Sequence, residues 1–280
     1  MTRISPGLAA RLALALFLTP PRRRLDPEDI PVVARAARSR IAVARGEVAA
    51  LEWPAPDPHA PTVLVLHGWG SHAARFGSFV EPLLAAGYRV VGIDAPAHGE
   101  SSGRQSDLDQ FRQGLGAALQ RYAPVVGIIG HSMGASAAVW QLADDPHPDL
   151  RALVLIGMPR DVGYMMESFA LVLELRADVT RRLRELFTRR FGAPPERYSA
   201  HALAERIAVP TLVVHDRDDE VAPLEHAREF AARLRRSHFR ETHGLQHSGA
   251  LRHADTIGGI VGFLREQAAQ APRDARAARS

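Results

Sequence analysis

The sequence predicts an α/β protein with a mostly parallel central sheet flanked by helices on both faces. Three observations lead there. Five short runs, at 62–66, 89–93, 125–129, 152–156 and 211–215, are almost continuously apolar and rich in β-branched residues. Strands of that kind are buried on both faces, as parallel sheets require. Amphipathic helical patterns alternate with them at 76–86, 108–122, 133–143, 224–236 and 256–267, the order expected of a layered α/β domain. The chain of 280 residues, 46% of them hydrophobic, is long enough for one large core of this type with an insertion.

Taken in order, the first segment is a leader, 1–40. Its stretch 8–18 is apolar except for Arg11 and runs into Thr19-Pro20-Pro21 and three arginines. A bilayer span needs roughly 20 apolar residues, so this stretch is too short to cross one. It is expected to dock as a helix, with weak contact to a membrane surface as the second reading. A cleaved signal fits less well, because no A-x-A site follows and the downstream flank is basic. Residues 41–53 alternate as a hairpin around Arg45-Gly46-Glu47, and a Pro-rich stretch, 54–61, separates it from the buried strands. The core is expected at 41–160 and 207–268. Between them, 161–206 holds helix patterns and no strand, which reads as a small helical cap with Pro194-Pro195 as its joint. The Arg-rich end, 269–280, is expected to be a disordered tail.

Composition removes whole chemistries. The chain has no Cys, no Lys and no Asn, so all 35 basic residues are Arg. A thiolate nucleophile, a disulfide framework, a Cys-bound zinc, a lysine Schiff base and an N-glycosylation acceptor are all excluded. The net charge of +4 is modest, and of the densest arginine clusters, 22–24, 181–190, 233–236 and 273–279, two alternate with apolar residues as solvated helix faces do and the last belongs to the tail. No stripe of basic residues interleaved with aromatics marks a nucleic-acid face, and none is expected as a partner. A cytoplasmic location is the default expectation.

In an open α/β sheet chemistry gathers beyond the carboxyl ends of the strands. The run 125–129 ends in Gly130-His131-Ser132-Met133-Gly134 and then a helix pattern. This is G-x-S-x-G in the strand–turn–helix setting that exposes a serine nucleophile, Ser132. The run 62–66 ends in His67-Gly68-Trp69-Gly70, a loop whose backbone N–H groups can face that serine. The amides of Trp69 and Met133 are the expected oxyanion hole, while His67 is expected to be a packed strand-end residue. Asp94 and His98, after 89–93, are expected to brace the rim. The run 211–215 leads into Asp216-Arg217-Asp218-Asp219-Glu220, four acids without the alternating ligands and Gly of a calcium loop. An acid that orients a histidine explains them better, with Asp219 preferred to Asp218. A short strand at 238–241 then leads to His243 and His247. Gly244 and Gly249 argue against a zinc-binding helix there, and His247 is the expected base, with His243 and His253 on the surface or rim.

The order Ser132, Asp219, His247 and the segments HGWG (67–70), GIDAPAHGESSG (92–103), GHSMGA (130–135), HDRDDEVAP (215–223) and GLQHSGALR (244–252) resemble the α/β-hydrolase superfamily over about residues 41–268. The resemblance implies the α/β-hydrolase fold, places the acid four residues before Pro223, and implies a serine esterase or lipase-like hydrolase. It would cleave a carboxylic ester of a small-molecule acyl substrate through an acyl-enzyme, with no metal or organic cofactor. Serine at the nucleophile position disfavours the dehalogenase and epoxide hydrolase chemistry that the fold also hosts. An acyltransferase or thioesterase on the same triad is the alternative, and a non-catalytic binding protein on this scaffold the third reading.

Overall fold

The computed structural model describes residues 5–270, so almost all of the tail expected at 269–280 lies outside the described residues. Strands β1 (Ala37–Val43), β2 (Gly46–Trp53), β3 (Thr62–Leu66), β4 (Arg89–Ile93), β5 (Val125–His131), β6 (Ala152–Ile156), β7 (Thr211–Asp216) and β8 (Ser237–Thr242) form one sheet. Their order is β1-β2-β4-β3-β5-β6-β7-β8. The first two strands pair antiparallel with each other and β2 pairs antiparallel with β4; every other neighbouring pair is parallel. Strands β3, β6 and β7 are buried along their whole length, which is why they read as unbroken apolar runs. Strand β1 begins at Ala37 instead of at 41. Its opening residues, Ala37-Arg38-Ser39-Arg40, are mostly exposed on the sheet edge and carry no apolar alternation, although they pair in register with β2.

Helices α1 (Pro6–Phe17), α2 (Ile30–Ala34), α3 (Gly77–Ala85), α4 (Leu108–Arg121), α5 (Met133–Asp144), α6 (Val162–Val172), α7 (Ala177–Phe191), α8 (Leu224–Arg233) and α9 (Ala254–Gln270) surround the sheet. Capping sets several of their ends. The Asp107 carboxylate accepts the Gln110 amide at the start of α4, and Asp161 accepts the Tyr164 amide at the start of α6. Helix α7 stops at Gly192, whose left-handed conformation closes the last turn. Helix α8 ends at Arg233, short of the expected 236, because Leu234 is already extended toward β8.

Two apolar cores result, one per sheet face. One packs Phe111 and Leu115 of α4, Ala137 of α5 and Phe230 of α8 together with Leu14 of α1 and Leu183 and Phe187 of α7. The other packs Phe79 and Leu83 of α3 and Ile260 and Leu264 of α9, with Val33 of α2. Segment 161–206 comprises α6, α7 and two 3-10 turns, and a β-bridge between Asp161 and Ser199 joins its ends. Helix α1 lies along α7, and the Phe17 ring meets Phe169 of α6 edge-on at 5.2 Å.

Several contacts tie the leader down, among them Arg75 with Asp26 and a cluster around Arg252. Arg252, between β8 and α9, reaches Asp26 at 3.1 Å, Asp29 at 3.0 Å and Glu28 at 2.9 Å. Asp29 is 1% exposed, so removing its cation leaves a buried carboxylate with less compensation. Arg252→Ala is expected to cost about 1–3 kcal/mol. Scanning calorimetry should then show a melting temperature lower by about 3–8 °C; an unchanged value would mean the arginine ties nothing.

Candidate active site

Strand β5 delivers Ser132 to a sharp turn at the head of α5. Ser132 has φ 53° and ψ −121°, a left-handed conformation that costs a non-glycine residue on the order of 1–3 kcal/mol. The strain is held by neighbours. The Ser132 amide donates to the Ile156 carbonyl at the end of β6, 2.9 Å away, while its own carbonyl accepts from the Ala135 and Ser136 amides. Gly134 permits the tightness of the turn: a Cβ there would lie 2.4 Å from the Leu66 and His67 carbonyl oxygens. The serine therefore sits at the N-terminus of α5, where peptide dipoles favour developing negative charge.

The loop after β3 lies against it, since a Cβ on Gly68 would come 2.9 Å from the Ser132 Cβ. The backbone N–H groups of Trp69 and Met133 donate to no protein acceptor among the described residues, which leaves them available to an incoming oxygen. The loop is braced from behind. His67 Nε2 accepts the Ala95 amide at 3.0 Å, so its Nδ1–H donates to the Gly68 carbonyl at 2.7 Å. Burial lowers the His67 pKa to about 4 and that of His98 to about 3, so both rings stay neutral. Asp94 accepts the Ala73 amide at 2.7 Å and the Glu100 amide at 2.8 Å. These three residues organise loops: the His98 Nδ1–H donates to the Pro96 carbonyl at 2.9 Å, and its Nε2 is buried without a partner among the described residues.

Of the two adjacent acids after β7, the structure brings Asp219 to His247. The His247 Nδ1–H donates to Asp219 Oδ2 at 2.8 Å, and Asp219 Oδ1 accepts the Val221 and Ala222 amides at 2.8 and 2.9 Å. Burial alone would raise the Asp219 pKa, but the hydrogen bonds from His247, Ala222 and Val221 outweigh it and hold the carboxyl below its usual range. Asp218 turns instead to the exposed His243, at 2.7 Å, and to the Gly244 amide. His253 contacts Thr256 at the start of α9. The end of β6 brings the parts together. Ile156 holds the Ser132 amide on one side, and on the other a Cβ on Gly157 would lie 3.3 Å from the His247 ring and 3.5 Å from Asp219.

Two supporting residues escape sequence reasoning. His131, beside Ser132, donates from Nε2 to the His247 backbone carbonyl at 2.9 Å, and the two rings lie 4.8 Å apart. Burial first, then the neighbouring His247, lowers its pKa to about 3, so it is a fixed neutral donor. Asp216, the last residue of β7, accepts from the Asp218 and Gln246 amides on one oxygen and from Leu245 N and Thr242 Oγ on the other. It joins the loop carrying Asp219 to the loop carrying His247. The strand-end position marks Asp216 as a candidate, but its partners belong to a loop far along the chain.

A cavity of about 580 Å³ opens beside Trp69 and Met133. Helices α6 and α7 supply Val162, Met165, Phe169 and Phe187, and the leader supplies the segment 16–21. Thr19, Ser106 and Asp107 are its polar lining residues, and among the described residues no arginine or histidine belongs to the wall.

A family model described as serine aminopeptidase, S33, matches residues 57–190. The 2-hydroxy-6-oxononadienedioate/2-hydroxy-6-oxononatrienedioate hydrolase of Paraburkholderia xenovorans is 30% identical over 248 residues, covering 70% of this chain and 84% of that protein. The hydrolase of the same description from Cupriavidus pinatubonensis is 30% identical over 213 residues, covering 59% and 73% respectively. The chain belongs to the α/β-hydrolase superfamily. Among solved structures, an esterase from Pyrococcus furiosus superposes on this α/β-hydrolase with a TM-score of 0.70 at 19% identity, over 89% of this chain and 97% of that one. The family match spans β3, the loop with Trp69, Ser132 and most of α6 and α7; it stops before Asp219 and His247.

Proposed function

We propose that this α/β-hydrolase is a serine esterase that hydrolyses a carboxylic ester with an uncharged, apolar acyl chain. The observation that carries the reading is the 2.8 Å contact between His247 Nδ1 and the buried Asp219, set across the end of β6 from a strained Ser132. In the proposed reaction His247 Nε2 takes the Ser132 proton as Oγ attacks the ester carbonyl. The Trp69 and Met133 amides hold the resulting oxyanion. Collapse of that intermediate breaks the C–O bond, and the imidazolium returns its proton to the departing alcohol. Water, deprotonated by His247, then attacks the acyl-enzyme and releases the acid and free Ser132.

The cavity argues for the acyl class. The relatives' names specify dienedioates, substrates with two carboxylates. Placing a carboxylate against an apolar wall without a cation costs several kcal/mol, and the lining here offers an acid, Asp107, and no arginine. An aliphatic chain meets no such penalty.

A series of p-nitrophenyl esters of increasing acyl length tests this, together with a fluorophosphonate probe mapped by mass spectrometry. The expected result is labelling on Ser132 and a kcat/KM that rises about threefold to fourfold per added methylene until the cavity is filled. An absence of turnover across the series with Ser132 unlabelled would sink the reading. Adding thioesters and alcohol acceptors to the assay separates the neighbouring activities, because an acyltransferase yields a new ester where a hydrolase yields free acid.

A further inference from the structure

We propose that the outer face of α1 and the corner between α6 and α7 form a docking surface for an anionic phospholipid bilayer, from which the acyl substrate enters the cavity. The substrate part of this inference rests on the ester-hydrolase reading; the docking part does not.

Helix α1 has two unlike faces. Ala10, Ala13 and Leu14 are buried, whereas Leu8, Leu12 and Leu16, spaced four apart, are 51%, 55% and 53% exposed. Residues that recur at that spacing form one stripe along a helix. A second exposed group lies at the end of α6, where Leu171 and Val172 are 77% and 81% exposed and Leu173 is 40% exposed. Single exposed leucines are ordinary, but these form a connected patch around an opening. Leu16, Val172 and Leu173 are at once exposed and part of the cavity wall. The exposed apolar surface is thus continuous with the interior that leads to Trp69 and Met133.

Charge indicates what covers the patch. From Ser5 to Leu25 the described chain carries Arg11, Arg22, Arg23 and Arg24 and no acidic residue. Arg22 is engaged by the carbonyls of Gly99, Ser101 and Gly103, while Arg11, on α1 itself, and Arg23 and Arg24, a few residues past its end, are exposed. Around the second exposed group the charges are mixed: Glu167 and Glu174 are exposed, Arg176 pairs with Asp178, and Asp107 lies in the cavity wall. Apolar side chains flanked by arginine suit the boundary between acyl chains and anionic headgroups, where each nearby basic residue contributes about 1 kcal/mol. Helix α1 has 12 residues, and no helix among the described residues is long and apolar enough to cross a membrane. The arrangement is that of a helix lying in the interface plane.

Vesicle flotation tests the proposal, using the full chain with Ser132→Ala so that no lipid is cleaved. The vesicles are phosphatidylcholine alone and phosphatidylcholine with about a quarter phosphatidylglycerol. The expected result is flotation with the anionic vesicles, weaker flotation with the neutral ones, and loss of about a hundredfold in partitioning for Leu8→Asp/Leu12→Asp/Leu171→Asp. None of those three residues lines the cavity, so with Ser132 intact the same triple variant should keep its turnover of a short soluble ester. Arg11→Glu/Arg23→Glu/Arg24→Glu should lower flotation with the anionic vesicles only. Failure of the parent chain to float, or equal flotation of the leucine variant, overturns the docking surface. So does a dimer that the leucine substitutions disperse without changing flotation, which would assign the patch to a second copy. Flotation without ester turnover would leave the docking surface standing and remove the esterase reading, and the reverse result would do the opposite.

Discussion

Ser132→Ala is expected to lower kcat for a short ester by about six orders of magnitude, Asp219→Asn by about four, and Asp218→Asn by less than about threefold. The series separates adjacent acids that composition cannot tell apart. In the proposed mechanism Asp219 accepts the proton-bearing Nδ1 of His247, which leaves the Nε2 lone pair for the serine. An asparagine at 219 already receives the Val221 and Ala222 amides on the atom that replaces Oδ1, so that atom stays oxygen. The amide nitrogen then faces His247 and requires an acceptor there. Nδ1 loses its hydrogen, Nε2 gains one, and the base can no longer take the Ser132 proton. Asp218 has no comparable leverage, because its carboxylate meets an exposed histidine and a loop amide at the rim. Steady-state kinetics with a p-nitrophenyl ester, alongside circular dichroism to verify folding, gives the answer. Equal losses at 218 and 219 would show that the two acids act through the loop's shape and not through His247.

Much of this arrangement was legible because it is encoded locally. Strands β3, β6 and β7 are buried on both faces, so their side chains are apolar without interruption. The turn at Ser132 needs small neighbours on either side, and G-x-S-x-G states that need in five residues. The strand end narrows the histidines to the loop carrying His243 and His247, and the glycines there argue against a zinc-binding helix. What escaped depends on contacts between distant segments. The start of β1 is mostly exposed at the sheet edge and held chiefly by its ladder with β2, so side-chain periodicity could not reveal it. The leader showed an apolar stretch, but its role as a cavity wall follows from α1 lying on α7, a packing no short pattern specifies. Asp216 looked like one acid in a cluster of four. Its role depends on amides at 245 and 246, whose approach is set by the parallel pairing of β7 with β8.

Asp216→Ala is expected to cost about 3–5 kcal/mol of stability and at least about a hundredfold in kcat. Asp216 is 3% exposed, and its removal strips acceptors from three backbone amides and the Thr242 hydroxyl together. Gln246 is held at φ 55°, an unfavourable conformation for a non-glycine residue that ends where His247 begins. Without the carboxylate that receives its amide, this residue can relax toward ordinary backbone geometry and carry the His247 ring off Asp219. Asn at 216 offers no rescue, since one end of the amide becomes a donor facing donors. The same carboxylate makes the effect pH-dependent. Burial alone would raise the Asp216 pKa, but the bonds from Thr242, Leu245, Asp218 and Gln246 together hold it below the usual aspartate range. A carboxyl depressed by folding stabilises the protein above its unfolded pKa, about 3.9, and loses that contribution as pH falls through the folded value. The melting temperatures of the parent and Asp216→Ala should therefore differ most near neutrality and converge in acid. A gap that stays constant down to pH values well below about 3.9 would show that packing, and not the ionised carboxylate, accounts for the stabilisation.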